Sequence, residues 1–190
     1  MKNLILIMLV LWGNFAFAQE KKQSTIDFKL GIGYAQFGTG DYGMTRFEAE
    51  ITKKWNKWLS TSAAINTGIG YNNPPFFYQV NALHGDLNVF ISPFGNQRRN
   101  NFKLGTGFTA VYANVTAQTG KRNVYNEETR TITEVEYFNT ETRRTTGFSM
   151  ILENELSVTE RFLLGAKVLV QPYSNGDILA GFTFNIGMKF

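Results

Sequence analysis

The sequence contains no cysteine. Disulfides, thiol nucleophiles and cysteine-based metal sites are excluded, so the fold must take its stability from other sources. There is one histidine, His84, and a lone histidine without cysteine is poor material for a zinc site. Beyond the first residues no apolar run approaches the roughly 20 residues that a membrane helix needs. No Gly-x-Ser-x-Gly nucleophile motif occurs. The Gly-x-Gly pairs do not extend to the dinucleotide pattern, because Gln36, Asn73 and Ala110 stand where its third glycine belongs. No cofactor is expected. The formal net charge is only +4, and the dense basic groups (Lys53-Lys54 with Lys57, Arg98-Arg99, Arg143-Arg144) are separate and fall at strand ends or in loops. That pattern speaks for solvated or headgroup-facing charge and against nucleic-acid binding.

What is present begins with a targeting segment. Lys2 supplies a positive start, Leu4 to Leu11 is unbroken apolar, and Ala16-Phe17-Ala18 has the small-x-small form of a cleavage site. The expectation is a signal peptide over 1–18 and one domain over 19–190, with an uncleaved anchor as the alternative.

The remainder alternates apolar and polar residues with period two almost throughout. Ile26, Phe28, Leu30, Ile32 and Tyr34 stand against Asp27, Lys29 and glycines. Phe47, Ala49 and Ile51 stand against Arg46, Glu48, Glu50 and Thr52. Ala63, Ile65 and Ile69 stand against Ser62, Ala64, Asn66, Gly68 and Gly70. Further strands are expected near 78–92, 102–115, 145–158, 162–171 and 178–190, eight in all. Each is long enough for the roughly 9–11 residues of a tilted membrane strand. A Gly-x-Gly-aromatic repeat at 31–34, 68–71 and 105–108 recurs every 37 residues, as one hairpin cycle would.

Period two does not say which face meets lipid; a lipocalin-like soluble barrel would bury the apolar one. Three features favour apolar-out. Glycine crowds the polar face, as the inside of a narrow barrel requires. Tyr34, Trp55, Trp58, Tyr71, Phe102, Tyr112 and Phe162 collect near strand ends like interfacial girdles. Short turns at 56–57 and 159–161 contrast with a long connection at 116–144, although 93–101 fits that alternation less well.

The last strand carries a resemblance. Phe182, Phe184, Ile186, Met188 and Phe190 alternate up to a terminal aromatic residue, which resembles the closing strand of bacterial outer-membrane proteins. The whole chain is similar in pattern to small barrels of the OmpA/OmpX type, including Bacteroidota forms. The resemblance implies an all-β, eight-stranded antiparallel transmembrane barrel in the cell outer membrane, porin-like in outline. It also implies recognition of the last strand by the barrel assembly machinery, and contact with outer-membrane lipid. The peptidoglycan-binding domain of some relatives is expected to be absent after Phe190.

On the polar face stand the acids Asp27, Glu48, Glu50, Asp86, Glu153 and Glu155 and the bases Lys29, Arg46, Lys103, Lys167 and Lys189. Buried charges must be paired, so a salt-bridged plug is expected. A sharper alternative is a gated ion path in which Arg46 exchanges between Glu48, Glu50 and Glu153. His84 is read as a polar lumen residue bonded to Asp86. The catalytic alternative, a lipid hydrolase with Asp86 orienting His84 and Ser149 attacking, departs from the His-x-Ser pattern of known lipid A deacylases, and no enzyme is expected. The segment 116–144 has strand formers in Val124-Tyr125, Thr131-Ile132-Thr133 and Val135-Glu136-Tyr137-Phe138. It is expected to be a mobile solvated loop, an outward hairpin offering strand edges to an extracellular partner, or an extra hairpin making ten strands. Function is expected to lie in a structural or surface-interaction role, with a narrow pore as the alternative.

Overall fold

A computed structural model of the chain describes residues 26–39, 42–72, 77–96, 98–126 and 131–190. The targeting segment 1–18 and the Asn73-Pro74-Pro75 break lie outside the described residues. Eight antiparallel strands follow one another: β1 Ile26–Phe37, β2 Tyr42–Lys54, β3 Leu59–Asn72, β4 Tyr78–Ile91, β5 Asn100–Asn126, β6 Thr131–Ser157, β7 Phe162–Pro172 and β8 Ile178–Lys189. Each pairs with its sequence neighbour, and β1 closes onto β8 from Asp27↔Lys189 to Gln36↔Ala180. Backbone bonds from Ile26 to Phe190 and back (3.3 and 2.8 Å) lock the seam. Closure removes the two edges that an open sheet would expose.

Period two sorts the side chains. The charged face points inward: Asp27, Glu50 and Lys103 are each 0 % exposed. The apolar face points outward: Phe148, Ile65 and Phe184 are 68, 65 and 62 % exposed. The soluble, lipocalin-like arrangement is therefore excluded, because the faces are the wrong way round for water. On β4 the outward apolar positions run from Leu83 to Ile91. At about 3.3 Å per residue and a tilt near 40° this is an axial height of roughly 20 Å, close to the apolar band of a membrane barrel. Trp55, Trp58, Phe102 and Phe162 ring the end that holds Ile26 and Phe190, and Tyr34, Tyr71 and Tyr112 ring the other, all exposed.

The connection at 116–144 is not a loop. β5 and β6 run on, paired to each other as far as Asn126↔Thr131, with one register shift between Gln118 and Gly120. Among the described residues no ninth or tenth barrel strand forms, because Ala117↔Tyr78 is the last pair that β5 makes with β4. The remaining connections alternate little in length. The segment between β4 and β5 instead folds back: Asn96 N–H donates to Lys57 O (2.7 Å), its Nδ2 donates to Asn56 O (2.8 Å), and Gly95 turns the chain at φ 92°.

The inward glycines make room. A β-carbon at Gly105 would meet the Phe90 ring, one at Gly68 the Met44 sulfur, and one at Gly107 the Leu87 carbonyl. The 37-residue repeat thus marks a common face. It does not mark one ring of the barrel, since Gly33 and Gly68 both flank Arg46 whereas Gly105 flanks Phe90. Gly85 differs: it points outward, and an added β-carbon meets nothing within 4 Å. Gly107→Val is expected to destabilise the folded barrel by about 1–3 kcal/mol through overpacking, and Gly85→Val to leave it within about 0.5 kcal/mol. Urea unfolding midpoints in detergent micelles check the pair, and equal shifts would refute the close-approach explanation.

Candidate functional site

The inner face holds two layers. Nearer the termini lies a charge network in which four cations (Lys29, Arg46, Lys103, Lys167) face five carboxylates (Glu48, Glu50, Asp86, Glu153, Glu155). Lys29 Nζ reaches Glu50 (2.6 Å), Glu153 (2.5 Å) and Glu155 (3.0 Å). Lys103 reaches Glu155 at 2.6 Å and Glu153 at 3.7 Å. Lys167 bridges Glu48 (2.6 Å) and Glu50. Asp86 shares Arg46 with Glu48 (3.2 and 3.5 Å). It also accepts from three neutral donors, Asn66 Nδ2 (2.7 Å), Thr109 Oγ1 (2.5 Å) and Gln171 Nε2 (3.1 Å). Such saturation is what a buried, incompletely neutralised carboxylate requires. Lys29, Lys103 and Lys167 are at most 2 % exposed, so protein atoms fill the lumen at this level.

Two residues at the terminal end complete the picture. Asp27 pairs at 2.5 Å with Lys54, a partner that the sequence reading did not place in the lumen. Lys189 donates to the Ser157 hydroxyl.

The second layer, towards the hairpin, is apolar. Phe37, Met44, Val80, Ala82, Val111, Ala113, Val115, Leu169 and Leu179 are buried on the same inner face. The expectation of a polar lumen throughout is corrected here. The period was read properly, but inward apolar positions near the hairpin end carry the same period as the polar ones and were hidden among strand termini.

Two further expectations are corrected. Arg46, expected to move between Glu48, Glu50 and Glu153, pairs with Glu48 and Asp86, while Glu50 and Glu153 are met by lysines. His84 does not bond Asp86. Its Nδ1 lies 3.1 Å from the Tyr173 hydroxyl, which donates to Gln171 Oε1, so Nδ1 carries the proton and donates to Tyr173. Asp86 and His84 stand two residues apart on one strand, and each turns to different neighbours. Ser149 donates to Asn88 Oδ1 (2.6 Å). Ser149, His84 and Asp86 therefore form no nucleophilic relay, whose members must bond one another.

At the other end, Arg143 at the base of the hairpin reaches Asp177 (2.8 Å) between β7 and β8 and Glu141 (3.0 Å), and lies 5.9 Å from the Tyr42 ring. Phe138 packs edge-on against Phe77 (5.0 Å), which packs on Tyr71 (5.4 Å). These contacts fix the hairpin to the barrel rim. Phe182, Phe184, Ile186, Met188 and Phe190 all face outward.

Removing one partner of a buried network costs about 3–5 kcal/mol, and replacing both with apolar groups costs less. Lys167→Met is expected to destabilise by that amount, and Lys167→Met with Glu50→Leu by less than the sum of the two single changes. Unfolding free energies in detergent measure this, and simple additivity would contradict the network.

No protein-family model and no curated protein sequence matches the chain. Solved structures do. Ail, the attachment invasion locus protein of Yersinia pestis, superimposes with a TM-score of 0.60 at 7 % identity, covering 89 % of this chain and 100 % of that one. Neisserial surface protein A gives 0.56 at 12 % identity, covering 88 and 97 %. The N-terminal barrel domain of Pseudomonas aeruginosa OprF gives 0.52 at 12 %, covering 88 and 100 %. With apolar residues outside, charges inside and eight closed strands, the chain has the fold of the small outer-membrane β-barrel proteins.

Proposed function

We propose that the protein is an integral outer-membrane barrel whose role is to hold the β5–β6 hairpin above the membrane as a surface for an extracellular partner. The observation that carries this is the free edge of the hairpin. β6 meets β7 only from Met150, with a single bridge at Gly147↔Tyr173 and a bond from Ser174 to Thr146 beyond it. From 131 to 144 no strand among the described residues lies along that side. An exposed strand edge is a ready template for an added strand. Two strands alone are marginal in water, so the clasp by Arg143 and the Phe77–Phe138 contact supply the anchorage that such a surface needs. Tyr125, Tyr137 and Phe138 are exposed on it, and aromatic residues are favoured at interfaces. One protein of this fold, Ail, has been solved with the heparin analogue sucrose octasulfate, which supports an interaction role for barrels of this shape.

Other features fit the same reading. The filled charge network and the apolar layer over it disfavour conduction, since an ion would have to break the first and cross the second. The outward alternation up to Phe190 suits the segment that the barrel assembly machinery reads.

Replacing residues 119–137 with a two-residue Asn-Gly turn is expected to leave outer-membrane retention after carbonate washing unchanged. It is expected to reduce adhesion of expressing cells, on surfaces coated with sulfated glycan or extracellular-matrix protein, to the level of cells lacking the protein. Undiminished adhesion would count against the hairpin. In planar bilayers the intact protein is expected to stay electrically quiet; discrete conductance steps altered by Arg46→Ala would instead support a pore.

A further inference from the structure

Gly85 is a glycine without an evident structural reason. It lies mid-strand on the outward face of β4, where glycine weakens a strand and often marks the close approach of a ligand. A β-carbon there meets nothing within 4 Å, so no neighbour demands the absence of a side chain. Across the sheet it lies in register with Ala110 of β5, which pairs with Thr146 of β6. These three small residues floor a trough. One ridge beside it is Leu83–Tyr112–Arg144 and the other is Leu87–Phe108–Phe148, both again in register. On the Arg144 side of this floor lies an open outward hollow of about 680 Å³, with Ile65, Leu83, Tyr112, Arg144 and Ser174 around Gly85, Ala110 and Thr146.

The groove has a polarity. Its lower ridge is wholly apolar and its upper ridge ends in Arg144, whose guanidinium lies 5.1 Å from the Tyr112 ring. The next row towards the hairpin is polar, Asn81–Asn114–Thr142. Arg144 therefore stands where the apolar band gives way to water, with an apolar trough directly beneath it. A ligand that fits both parts has an acyl chain for the trough and an anion for the guanidinium.

We infer that this groove binds a phosphorylated, acylated lipid of the outer leaflet, one acyl chain lying over Gly85 and Ala110 and a headgroup phosphate held by Arg144. The inference rests on the membrane placement proposed above. Cation–π contact with Tyr112 holds the guanidinium at the rim, and a basic residue beside a membrane surface attracts anionic headgroups. The site thus selects a lipid by chain and charge together.

The test is lipid binding by the full mature chain in nanodiscs of zwitterionic phospholipid, titrated with lipid A or with its dephosphorylated form and read by native mass spectrometry. Wild type is expected to take up one lipid A saturably. Gly85→Trp, whose β-carbon has open space around it, is expected to weaken uptake about tenfold, and Arg144→Gln about fivefold. For the dephosphorylated lipid, Arg144→Gln is expected to make no difference. Ala49→Trp, an outward change on β2, serves as the control and is expected to leave uptake unchanged. Equal binding by wild type and Gly85→Trp, equal weakening by Ala49→Trp, or no saturable uptake would each overturn the site. A wild-type dimer lost in Gly85→Trp would overturn it in favour of a second copy of the chain. Failure of the wild type to enter nanodiscs as a folded barrel would refute the membrane placement itself, and so is distinguishable from failure of the groove.

Discussion

The pairing of β1 with β8 is the constraint on which the rest of the structure depends. In lipid no water is present to bond a stray backbone group, so only a sheet without edges can cross. The seam from Asp27↔Lys189 to Gln36↔Ala180 supplies that closure, and it brings residues 144 to 162 apart in sequence into register. Once eight strands close, the inner circumference is small. Every inward side chain then competes for the same narrow space, and the glycines at 68, 105 and 107 become necessary because Met44, Phe90 and the β4 backbone occupy the volume that a β-carbon would take.

The same crowding explains the charges. Six carboxylates could not stand on the inner wall of a narrow barrel unless cations met them. Lysines from β1 and β7 and an arginine from β2 reach over the lumen to do so, Lys103 of β5 meets carboxylates of its neighbour β6, and Lys54 closes on Asp27. Long flexible lysines suit this because one ammonium can serve two or three carboxylates, as Lys29 does with Glu50, Glu153 and Glu155. Such a network is not a source of large net stability, since desolvation offsets most of the attraction. What it does is tie β1, β2, β4, β5, β6 and β7 to one another through the lumen. The apolar layer of Phe37, Met44, Val80 and Leu179 then separates that network from the hairpin end.

Much of this was legible in the sequence, and for a physical reason. A strand period of two is exact for both faces, so alternation puts Lys29, Glu48, Asp86 and Lys167 on one face, and the glycines crowding that face, with the aromatic residues near strand ends, make it the inner one. The eight strands followed in the same way. Pairing partners did not follow, because alternation fixes direction and not height along the barrel. For Arg46 alternation offers Glu48, Glu50 and Glu153, and the stagger of the strands sets it beside Glu48 and Asp86; for His84 it offers the neighbour two residues on, yet His84 reaches Tyr173 across the lumen. The apolar layer was missed because an inward valine and an outward valine look alike once polar contrast is lost. Lys54 was missed because it sits at a strand end, where turn and strand lysines have the same neighbours. The hairpin was read correctly as one of three outcomes, since its Thr-, Val- and Tyr-rich composition favours strand but does not say whether the pair joins the barrel or leaves it.

The central claim is that the charged face is sealed inside and the apolar face lies against lipid. The absence of cysteine makes the direct measurement clean: single cysteines placed in turn from 83 to 89 on β4 and spin-labelled in bilayers, with collision rates recorded for oxygen and for a polar nickel chelate. The account predicts high oxygen accessibility at 83, 85, 87 and 89 and low accessibility to both reagents at 84, 86 and 88. High accessibility to the polar reagent at 83, 85, 87 and 89, or no alternation at all, would contradict it.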